Sequence, residues 1–479
     1  MEKTFSLTSD KGQFRIGLII FLGAVLRILF SLYGGSFYFG QEDFKVQGDT
    51  YGWIDSILNL IHHGEYTSDP NEPNARFFRP PGYAFVIGIF YLITGQNLDS
   101  ALSLLSWFQV ALDCIGIWLV YRICLNIQLN GKSAEAAAFL YAAYPFIIVW
   151  SPVLYAESIS VFFLLTTTWL ITSNPSNKRM ALAGIFLGLA VLTRLQCFFI
   201  LPGALLYLIR RNWRTNPFRF LIVFSSAFLL TYGTWPLRNV LMHQRMVFSQ
   251  DLRVGKHWSP DYLAFMDFIF AIKTDHQPQY QQIIEDQQVV WPESVKLDGH
   301  DSLLMAETID LCRTCGTGFS YFKLHAGLID EPISKTANCD SLIVTNFKEL
   351  KASQIRKNPF HHYLYTPLSN LKKALFKFNL YGDKGIIVKL AASGLFLGRT
   401  LMIFLGLIAL WMNRKKRWFD PCFSTFIFVY FILWYLFLCF IYRNIEIRYL
   451  LHCDILLLIP AAFIISAAFH HRRSKFHKG

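Results

Sequence analysis

Long apolar segments recur along this 479-residue chain, and they restrict the folds that it can adopt. A bilayer core of about 30 Å needs roughly 20 apolar residues in one helix. Ten segments approach that pattern: 15–33, 101–125, 134–151, 156–172, 181–194, 196–209, 219–237, 386–412, 423–441 and 449–469. With 53% hydrophobic and only 16% charged residues, the chain does not match a soluble domain. The sequence predicts an all-α polytopic membrane protein with about ten transmembrane helices.

The basic residues predict the orientation of these helices. The formal charge of +13 comes from short runs beside apolar segments, which is typical of cytoplasmic membrane loops rather than of nucleic-acid binding. Alternate threading places the runs on one side, which the positive-inside rule makes the cytoplasm, together with both termini. This threading requires that 85–94 does not cross. That run is too short to span, and it fits an interfacial or re-entrant helix.

Three polar elements then lie on the outer, extracytoplasmic face. They are the first outer loop at 34–100, a short turn before Glu157, and a long insert at 238–385. We therefore expect an N-terminal transmembrane module at 1–237, the insert as a small cap with basic amphipathic helices, and C-terminal helices with a basic tail at 386–479.

Ionisable residues at this outer edge are the candidates for function, because a charge near membrane depth is costly and usually faces a cavity. Asp49 precedes an amphipathic helix at 51–61, where it could be a helix cap or a catalytic base. Arg79 precedes a Pro-Pro turn, where it could anchor the loop at the interface or hold a phosphate.

Further charged residues stand at the outer ends of later segments. Glu157 begins an apolar helix, where the helix dipole favours a carboxylate. Arg194 interrupts two short apolar runs and indicates a hairpin tip, where it snorkels or holds an anion. Arg443, Glu446 and Arg448 cluster before the last helix, either as a mutual ion pair or as part of a site.

Two groups of residues suggest a metal less strongly than they suggest ordinary structure. His62 and His63 are adjacent on a helix, so their side chains point about 100° apart, and with Glu65 they are better read as a polar loop. Four residues of the insert follow a zinc-like order: Cys312, Cys315, His325 and Cys339. Outside the cytoplasm a disulfide is the favoured interpretation of these cysteines.

The order of the short motifs carries a resemblance. The motifs G-D-T-Y, R-P-P-G-Y, Y-A-E-S, G-L-A-V-L-T-R, W-P-L-R-N and E-I-R-Y resemble polyprenyl-phosphate-sugar-dependent glycosyltransferases of the GT-C superfamily. The similarity is greatest to the protein mannosyltransferase-like and lipid A aminoarabinose-transferase-like branch, glycosyltransferase family 39. It covers most of 10–240 and 385–470. It implies a GT-C-type bundle with interfacial helices in the first outer loop.

The resemblance also implies roles for individual residues. The catalytic carboxylate of the first outer loop maps onto Asp49, and a second acidic position maps onto Glu157, where this chain has Glu instead of Asp. The residues expected to contact the lipid phosphate are Arg79, Arg194 and Arg448. The residues expected to line the substrate pocket are Tyr51, Tyr83, Tyr155 and Glu446.

The chemistry of such a reaction fits these residue types. A sugar on a polyprenyl phosphate already has a good leaving group, so one carboxylate must deprotonate an acceptor hydroxyl or amine and cations must hold the phosphate. A one-step displacement with Asp49 as base implies inversion at the anomeric carbon. Because fixed arginines can neutralise the phosphate, we expect no metal or other cofactor. The expected partners are an undecaprenyl-type donor carrying a hexose or pentose, a lipid, glycan or protein acceptor, and the bilayer.

Two alternatives stay open from the sequence. A transporter or flippase of lipid-linked saccharides also has many spans, but it would place ionisable or helix-breaking residues near mid-membrane in matching halves. An oligosaccharide ligase or polymerase is the second alternative. No Asn-X-Ser/Thr sequon with X other than Pro is present, which favours a bacterial inner membrane in a cell envelope.

Overall fold

The computed structural model describes residues 10–213, 217–254, 258–273, 275–333, 338–376 and 385–476. Over these residues every regular element is a helix, which confirms the all-α fold class. The chain begins with α1 (Asp10–Leu29), which passes through a π-helical turn into α2 (Gly35–Phe39). The first outer loop contains α3 (Gly48–His63) and α4 (Pro81–Ile93).

The remaining helices of the N-terminal part follow with short connections. They are α5 (Leu98–Asn126), α6 (Gly131–Ala142), α7 (Pro145–Trp150), α8 (Glu157–Thr172), α9 (Asn177–Thr193), α10 (Ile200–Arg211), α11 (Pro217–Tyr232) and α12 (Thr234–His243). A 3₁₀ turn at Leu195–Phe199 separates α9 from α10. The boundary predicted between 237 and 238 falls inside α12, because the apolar pattern weakens before the helix ends.

The insert and the C-terminal part are also helical. The insert contains α13 (Pro260–Ile272), α14 (Gln277–Ile284), α15 (Gly299–Thr314), α16 (Thr317–His325), α17 (Cys339–Lys357) and α18 (Thr366–Leu375). The C-terminal helices are α19 (Ile386–Lys416), α20 (Pro421–Leu436), which a π-helical turn extends to Tyr442, and α21 (Ile447–Phe476).

The long apolar helices confirm an integral membrane protein, although fewer of them reach full length than the sequence predicts. Within the described part of the chain, five are long and apolar enough to cross a bilayer: Gly12–Phe39, Leu98–Asn126, Ile386–Lys416, Pro421–Tyr442 and Ile447–Ala468. The bent pair of α11 and α12 makes a sixth. The other four predicted spans correspond to shorter helices, because Pro145 divides α6 from α7 and the chain is extended at Arg194.

Close contacts between backbones hold the bundle together. A Cβ added to Gly184 on α9 would lie 2.3 Å from the carbonyl oxygen of Phe224 on α11. On α19, a Cβ on Gly406 would lie 2.7 Å from the carbonyl oxygen of Leu457 on α21. Only glycine permits these approaches, which is how membrane helices commonly pack.

Two buried ion pairs tie helices together inside the bundle. Arg27 donates from Nε to Asp113 Oδ2 over 2.5 Å, and the hydroxyl of Tyr141 donates to the same carboxylate. A second carboxylate, Asp454, accepts hydrogen bonds from the Arg399 guanidinium and from the hydroxyl of Tyr144, which lies between α6 and α7. Because an unpaired charge here would cost several kcal/mol, the first pair holds α1, α5 and α6 together and the second holds α19 to α21.

The insert folds around its own apolar cluster and rests on the first outer loop. A disulfide joins Cys315 to Cys339, which confirms the disulfide interpretation, and Cys312 is a buried free thiol. The backbone N–H of Asp251 donates to the carbonyl oxygen of Phe77 over 2.9 Å. The insert therefore covers one side of the loop that carries Asp49.

Candidate active site

Asp49 occupies the first turn of α3. The helix begins after Gln47, whose backbone N–H donates to Thr50 Oγ1 over 3.1 Å. Thr50 Oγ1 in turn donates to the carbonyl oxygen of Leu154, in the turn that precedes α8. Asp49 is therefore not the helix cap, and its carboxylate is available for other contacts.

Two arginines from distant parts of the chain bind the Asp49 carboxylate. Arg79 Nη2 donates to Oδ1 over 2.8 Å, and Arg448 Nη1 donates to Oδ2 over 2.7 Å. Arg79 is held by the Pro80-Pro81 turn that starts α4, and Arg448 lies in the first turn of α21. The structure thus brings together three of the predicted site residues at one point.

Glu446 and Tyr155 support Arg448 from other directions. Arg448 Nε donates to Glu446 Oε2 over 2.6 Å. The Arg448 guanidinium lies 5.0 Å from the ring centroid of Tyr155, at cation–π distance. The predicted Glu446–Arg448 pair is therefore present, and it is connected to Asp49. Arg443 is not part of it, because its guanidinium donates to the backbone oxygen of His362 in the insert.

A second pair of opposite charges lies deeper on the same side. Arg194 Nη2 donates to Glu157 Oε1, and the Glu157 side chain is completely buried at the start of α8. The Arg194 guanidinium lies 5.8 Å from the ring centroid of Trp53, and the Arg79 guanidinium lies 4.7 Å from the same centroid. Trp53 therefore connects the two charged pairs.

The arginines leave donor groups without partners in the part of the chain that is described. Arg79 Nε and Arg194 Nε are buried and make no hydrogen bond there, and neither does Glu157 Oε2. Buried polar groups are nearly always hydrogen-bonded in proteins. Two unpartnered cationic N–H groups beside a cavity therefore suit an anionic ligand with several acceptor oxygens.

The charges around Asp49 control its proton affinity. Burial by itself would raise the pKa of the Asp49 carboxyl, but the neighbouring Arg79, Arg448 and Arg194 outweigh burial and hold its pKa well below the usual range. In this state Asp49 is an ionised but weak base. Any ligand that draws the arginines away from it would raise its pKa and make it a stronger base.

A cavity of about 710 Å³ opens beside this cluster. The charged residues that line it are Asp49, Arg79, Arg194, Glu446 and Arg448. Its other walls are largely aromatic, with Phe198, Phe199, Tyr232, Trp434, Phe437 and Tyr442 from the bundle and Trp258 and Tyr262 from the insert. A polar end and an apolar body suit an amphiphile with an anionic head.

Two further cavities adjoin the cluster. One of about 1190 Å³ lies between α2 and α19, and Glu446 and Arg448 form part of its inner wall. The other, of about 340 Å³, includes Asp49 and Arg79 in its lining and opens on the side of Tyr51. Asp49 therefore faces two cavities, the 710 Å³ one and the 340 Å³ one.

Three of the predicted site residues line none of the three cavities described above. Tyr83 is fully buried and donates from its hydroxyl to Gln109 Oε1, and it lines none of the three cavities. Glu157 lies behind Arg194 and is not in any cavity lining, so it orients Arg194. Tyr155 supports Arg448 from below. Tyr51 does line a cavity, the 340 Å³ one.

The sequence interpretation missed several residues of the site. Trp53 stands four positions after Asp49 on the same face of α3, and this spacing could have identified it. Trp258 and His276 reach the site from the insert, whose sequence gives no such signal. His452 on α21 bonds to Ser160 and Gln196 directly below the Glu157–Arg194 pair.

The histidines of α3 do not form a metal site. His62 Nε2 lies 3.1 Å from the Tyr91 hydroxyl, and Glu65 pairs with Arg76. Over the described ranges, no group of three or more His, Cys, Asp or Glu side chains is arranged to hold a metal ion.

Comparison with known proteins shows the kind of fold that carries this cluster. Residues 78–235 match the family model of dolichyl-phosphate-mannose-protein mannosyltransferase. The structure is similar to the oligosaccharyltransferase AglB from Archaeoglobus fulgidus, solved with an inhibitory peptide and a dolichol-phosphate. The TM-score is 0.51 at 12% identity, over 98% of this chain and 52% of that one.

The chain has the GT-C fold.

The similarity covers part of the length of the known structures. The chain spans about half the length of the archaeal oligosaccharyltransferase. A lower likeness, with a TM-score of 0.38 at 12% identity, links 95% of the chain to 78% of ArnT from Cupriavidus metallidurans, solved with undecaprenyl phosphate. None of the curated protein sequences matches the chain.

Proposed function

We propose that this GT-C protein transfers a sugar from a polyprenyl-phosphate donor to an acceptor hydroxyl or amine at the extracytoplasmic face of a membrane. The observation that carries the proposal is the Asp49 carboxylate held between Arg79 and Arg448 at the polar end of an aromatic-walled cavity. An anionic, long-chain donor fits this combination of arginines and apolar walls.

The donor phosphate binds at the three arginines. Its oxygens accept the hydrogen bond that the unpartnered Arg194 Nε can donate, and the Nη groups of Arg79 and Arg448 complete the set. The prenyl chain runs along the aromatic walls between α11 and α20 and leaves toward the bilayer. Glu157 fixes Arg194 for this role, because a buried ion pair restricts the guanidinium to one position.

Binding of the donor activates Asp49. The phosphate competes with the Asp49 carboxylate for Arg79 and Arg448, so the pKa of Asp49 rises toward its ordinary value. Asp49 then accepts the proton of the acceptor group while the acceptor atom bonds to the anomeric carbon. The bond from that carbon to the phosphate oxygen breaks, and its electrons stay on the phosphate.

The arginines contribute most at this step. The leaving phosphate gains negative charge in the transition state, and fixed guanidinium groups stabilise it without reorganisation. A single displacement inverts the anomeric configuration, by analogy with inverting glycosidases. The donor sugar is a hexose or pentose, the reaction uses no metal, and the protein resides in a bacterial inner membrane with both termini in the cytoplasm.

A deletion strain provides the test of this function. Mass spectrometry of membrane lipids and surface glycans should show accumulation of one polyprenyl-phosphate sugar and loss of that sugar from one glycan. Expression of the wild-type chain should restore both. Unchanged lipid-linked sugars and unchanged glycans in the deletion strain would contradict the proposal.

A further inference from the structure

The 340 Å³ cavity is an acidic cleft that adjoins Asp49 and has a lining largely different from that of the donor cavity. It shares Asp49 and Arg79 with the donor cavity, so the two spaces meet at this ion pair. Its volume lies at the lower end of the range of about 300–1,000 Å³ for small-molecule sites. A group held in this acidic cleft can reach the Asp49 carboxylate directly.

Three further carboxylates line the acidic cleft. The carboxylates of Asp55 and Glu72 make no hydrogen bond or ion pair with any residue in the described ranges, and Asp69 Oδ1 accepts only the backbone N–H of Asn71. Partial burial and the charge of Asp69 raise the pKa of Asp55. Among the described residues of the lining, Arg79 is the one cation, and it is already paired with Asp49.

Buried polar atoms of the acidic cleft also point to a ligand. Arg79 is more than nine-tenths buried, and its Nε makes no hydrogen bond within the described part of the chain. Ser68 Oγ is likewise buried without a partner there. Gly52 packs closely against the floor of the cleft, since a Cβ at this position would lie only 2.8 Å from Phe78 Cε1 and 3.6 Å from Arg79 Nε.

The walls of the acidic cleft combine aromatic rings with a polar rim. Trp258 and Tyr321 from the insert and Tyr51 from α3 all line the cleft. Tyr51, Asp55 and Glu72 are exposed at the rim, so the opening is bordered by polar groups. Aromatic faces with carboxylate oxygens suit a sugar ring, which stacks its apolar face and donates hydrogen bonds from its hydroxyls.

The larger 1190 Å³ cavity has a more apolar wall than the acidic cleft, and it does not include Asp49. Its outer wall contains exposed apolar side chains such as Phe37 and Leu395, and Asp49 is not part of its lining. A lipid could enter it, but a nucleophile held there would be separated from Asp49 by Arg448. The acceptor that Asp49 deprotonates therefore enters from the acidic cleft.

We infer that the acidic cleft is the acceptor site and that it admits a water-soluble saccharide bearing a protonated amine. The inference rests on the proposed function, since it assigns the second substrate of the same reaction. Asp49 takes the proton of the acceptor hydroxyl, the acceptor oxygen bonds to the anomeric carbon, and the phosphate departs into the donor cavity. Donor and acceptor then lie on opposite sides of the reacting carbon, as an in-line displacement requires.

The charge of the acidic cleft excludes acidic acceptors. Asp55, Asp69 and Glu72 repel phosphorylated or carboxylated glycans, whereas an ammonium group relieves the repulsion between the carboxylates. The chain as a whole carries a formal charge of +13, so a cation gains no general attraction from it. If the protein binds a cationic saccharide more tightly than a neutral one, the attraction must therefore come from the carboxylates of the cleft.

Binding of two matched oligosaccharides to the purified full-length protein tests the inference. The probes are the glucosamine tetrasaccharide and its fully N-acetylated form, which differ in the charge of their amines. At mildly acidic pH we expect the glucosamine form to bind about tenfold tighter, and added NaCl to reduce the difference. Equal binding, or tighter binding of the neutral form, overturns the inference.

Paired variants locate the binding. The double variant Asp55→Asn, Glu72→Gln should lose the preference, while Glu42→Gln, Asp43→Asn, exposed on the same outer loop, should keep it. A tetralysine peptide should bind more weakly than the glucosamine tetrasaccharide, because it lacks rings that stack on Trp258 and Tyr321. The inference is overturned if the cleft variant still prefers the glucosamine tetrasaccharide, or if tetralysine binds more strongly than that tetrasaccharide. If the cleft variant does not fold, the test is the wild type alone: its preference for the glucosamine form must fall as NaCl is added.

The donor provides a separate measurement. Undecaprenyl phosphate affinity should be equal in the wild type and in the cleft variant, because neither substituted residue lines the donor cavity. If undecaprenyl phosphate fails to bind while the glucosamine preference persists, the proposed function fails and the charge selectivity of the cleft stands. If the lipid binds and the preference is missing, only the acceptor assignment fails.

Discussion

Asp49 and Arg448 lie 399 positions apart in sequence, yet Arg448 Nη1 donates to Asp49 Oδ2 over 2.7 Å. This contact joins the first outer loop to the start of the last helix. Arg79 donates to the other carboxylate oxygen of Asp49. The catalytic group that we propose is therefore held by the cations that we propose for the donor phosphate. This shared use of the arginines underlies the two predictions made for Asp49.

Arg194→Ala should weaken binding of undecaprenyl phosphate. A hydrogen bond to a charged group contributes about 1.5–3 kcal/mol, so we expect a Kd roughly tenfold higher or more. Titration of the purified protein with the labelled lipid measures this. Arg179→Ala, at the predicted cytoplasmic end of α9, is the control and should bind normally. Equal affinity in both variants would remove Arg194 from the phosphate site.

Glu157→Gln should weaken the same binding by a smaller factor and should not change the pH dependence of sugar transfer. Its carboxylate touches Arg194 and lines none of the three cavities, so it positions the guanidinium without transferring a proton. Steady-state rates across a pH range measure both effects. A shifted pH profile would instead support the catalytic role that the resemblance implies for Glu157.

The ion pairs of Asp49 should stabilise the ligand-free protein in a pH-dependent way. The pKa of Asp49 is lowered in the folded state, so the stabilisation is fully present above the unfolded value of about 3.9 and is lost as pH falls toward the folded value. The difference in Tm between wild type and Asp49→Asn should be constant from weakly acidic to neutral pH and shrink at stronger acidity. A difference that grows with acidity would contradict the lowered pKa.

Removal of the disulfide should loosen the insert. Cys315 and Cys339 are 24 positions apart, and closing a loop of this size stabilises by about 3 kcal/mol in the chain-entropy model. Cys315→Ser with Cys339→Ser should make the insert more sensitive to limited proteolysis. A reducing agent should do the same to the wild type and have no effect on the double variant. Unchanged proteolysis of the double variant would show that the apolar cluster of the insert is sufficient.

Much of the site was predictable because its residues interrupt apolar sequence. Asp49, Arg79, Arg194, Glu446 and Arg448 are charges at the ends of membrane segments, where only a pairing or a ligand can compensate for burial. The order of their motifs also indicated the GT-C fold. What the sequence could not show is which charges pair, since the partners are far apart along the chain.

The errors have physical causes. Hydropathy does not reveal breaks such as the one at Pro145, so some predicted spans are shorter helices. Tyr83 follows a conspicuous Pro-Pro-Gly turn, but its ring is buried in the core, where Gln109 accepts a hydrogen bond from its hydroxyl. Insert residues such as Trp258 reach the site only through tertiary packing on the first outer loop.

The most direct test of the account is the rate of sugar transfer by Asp49→Asn, measured together with its affinity for the donor lipid. Loss of a general base typically costs about 10²–10⁴-fold in rate, so transfer should fall by at least that lower factor. Affinity for undecaprenyl phosphate should be retained or increased, because Arg79 and Arg448 no longer bind a carboxylate. Asp43→Asn is the matched control. Wild-type transfer by Asp49→Asn would contradict the central claim.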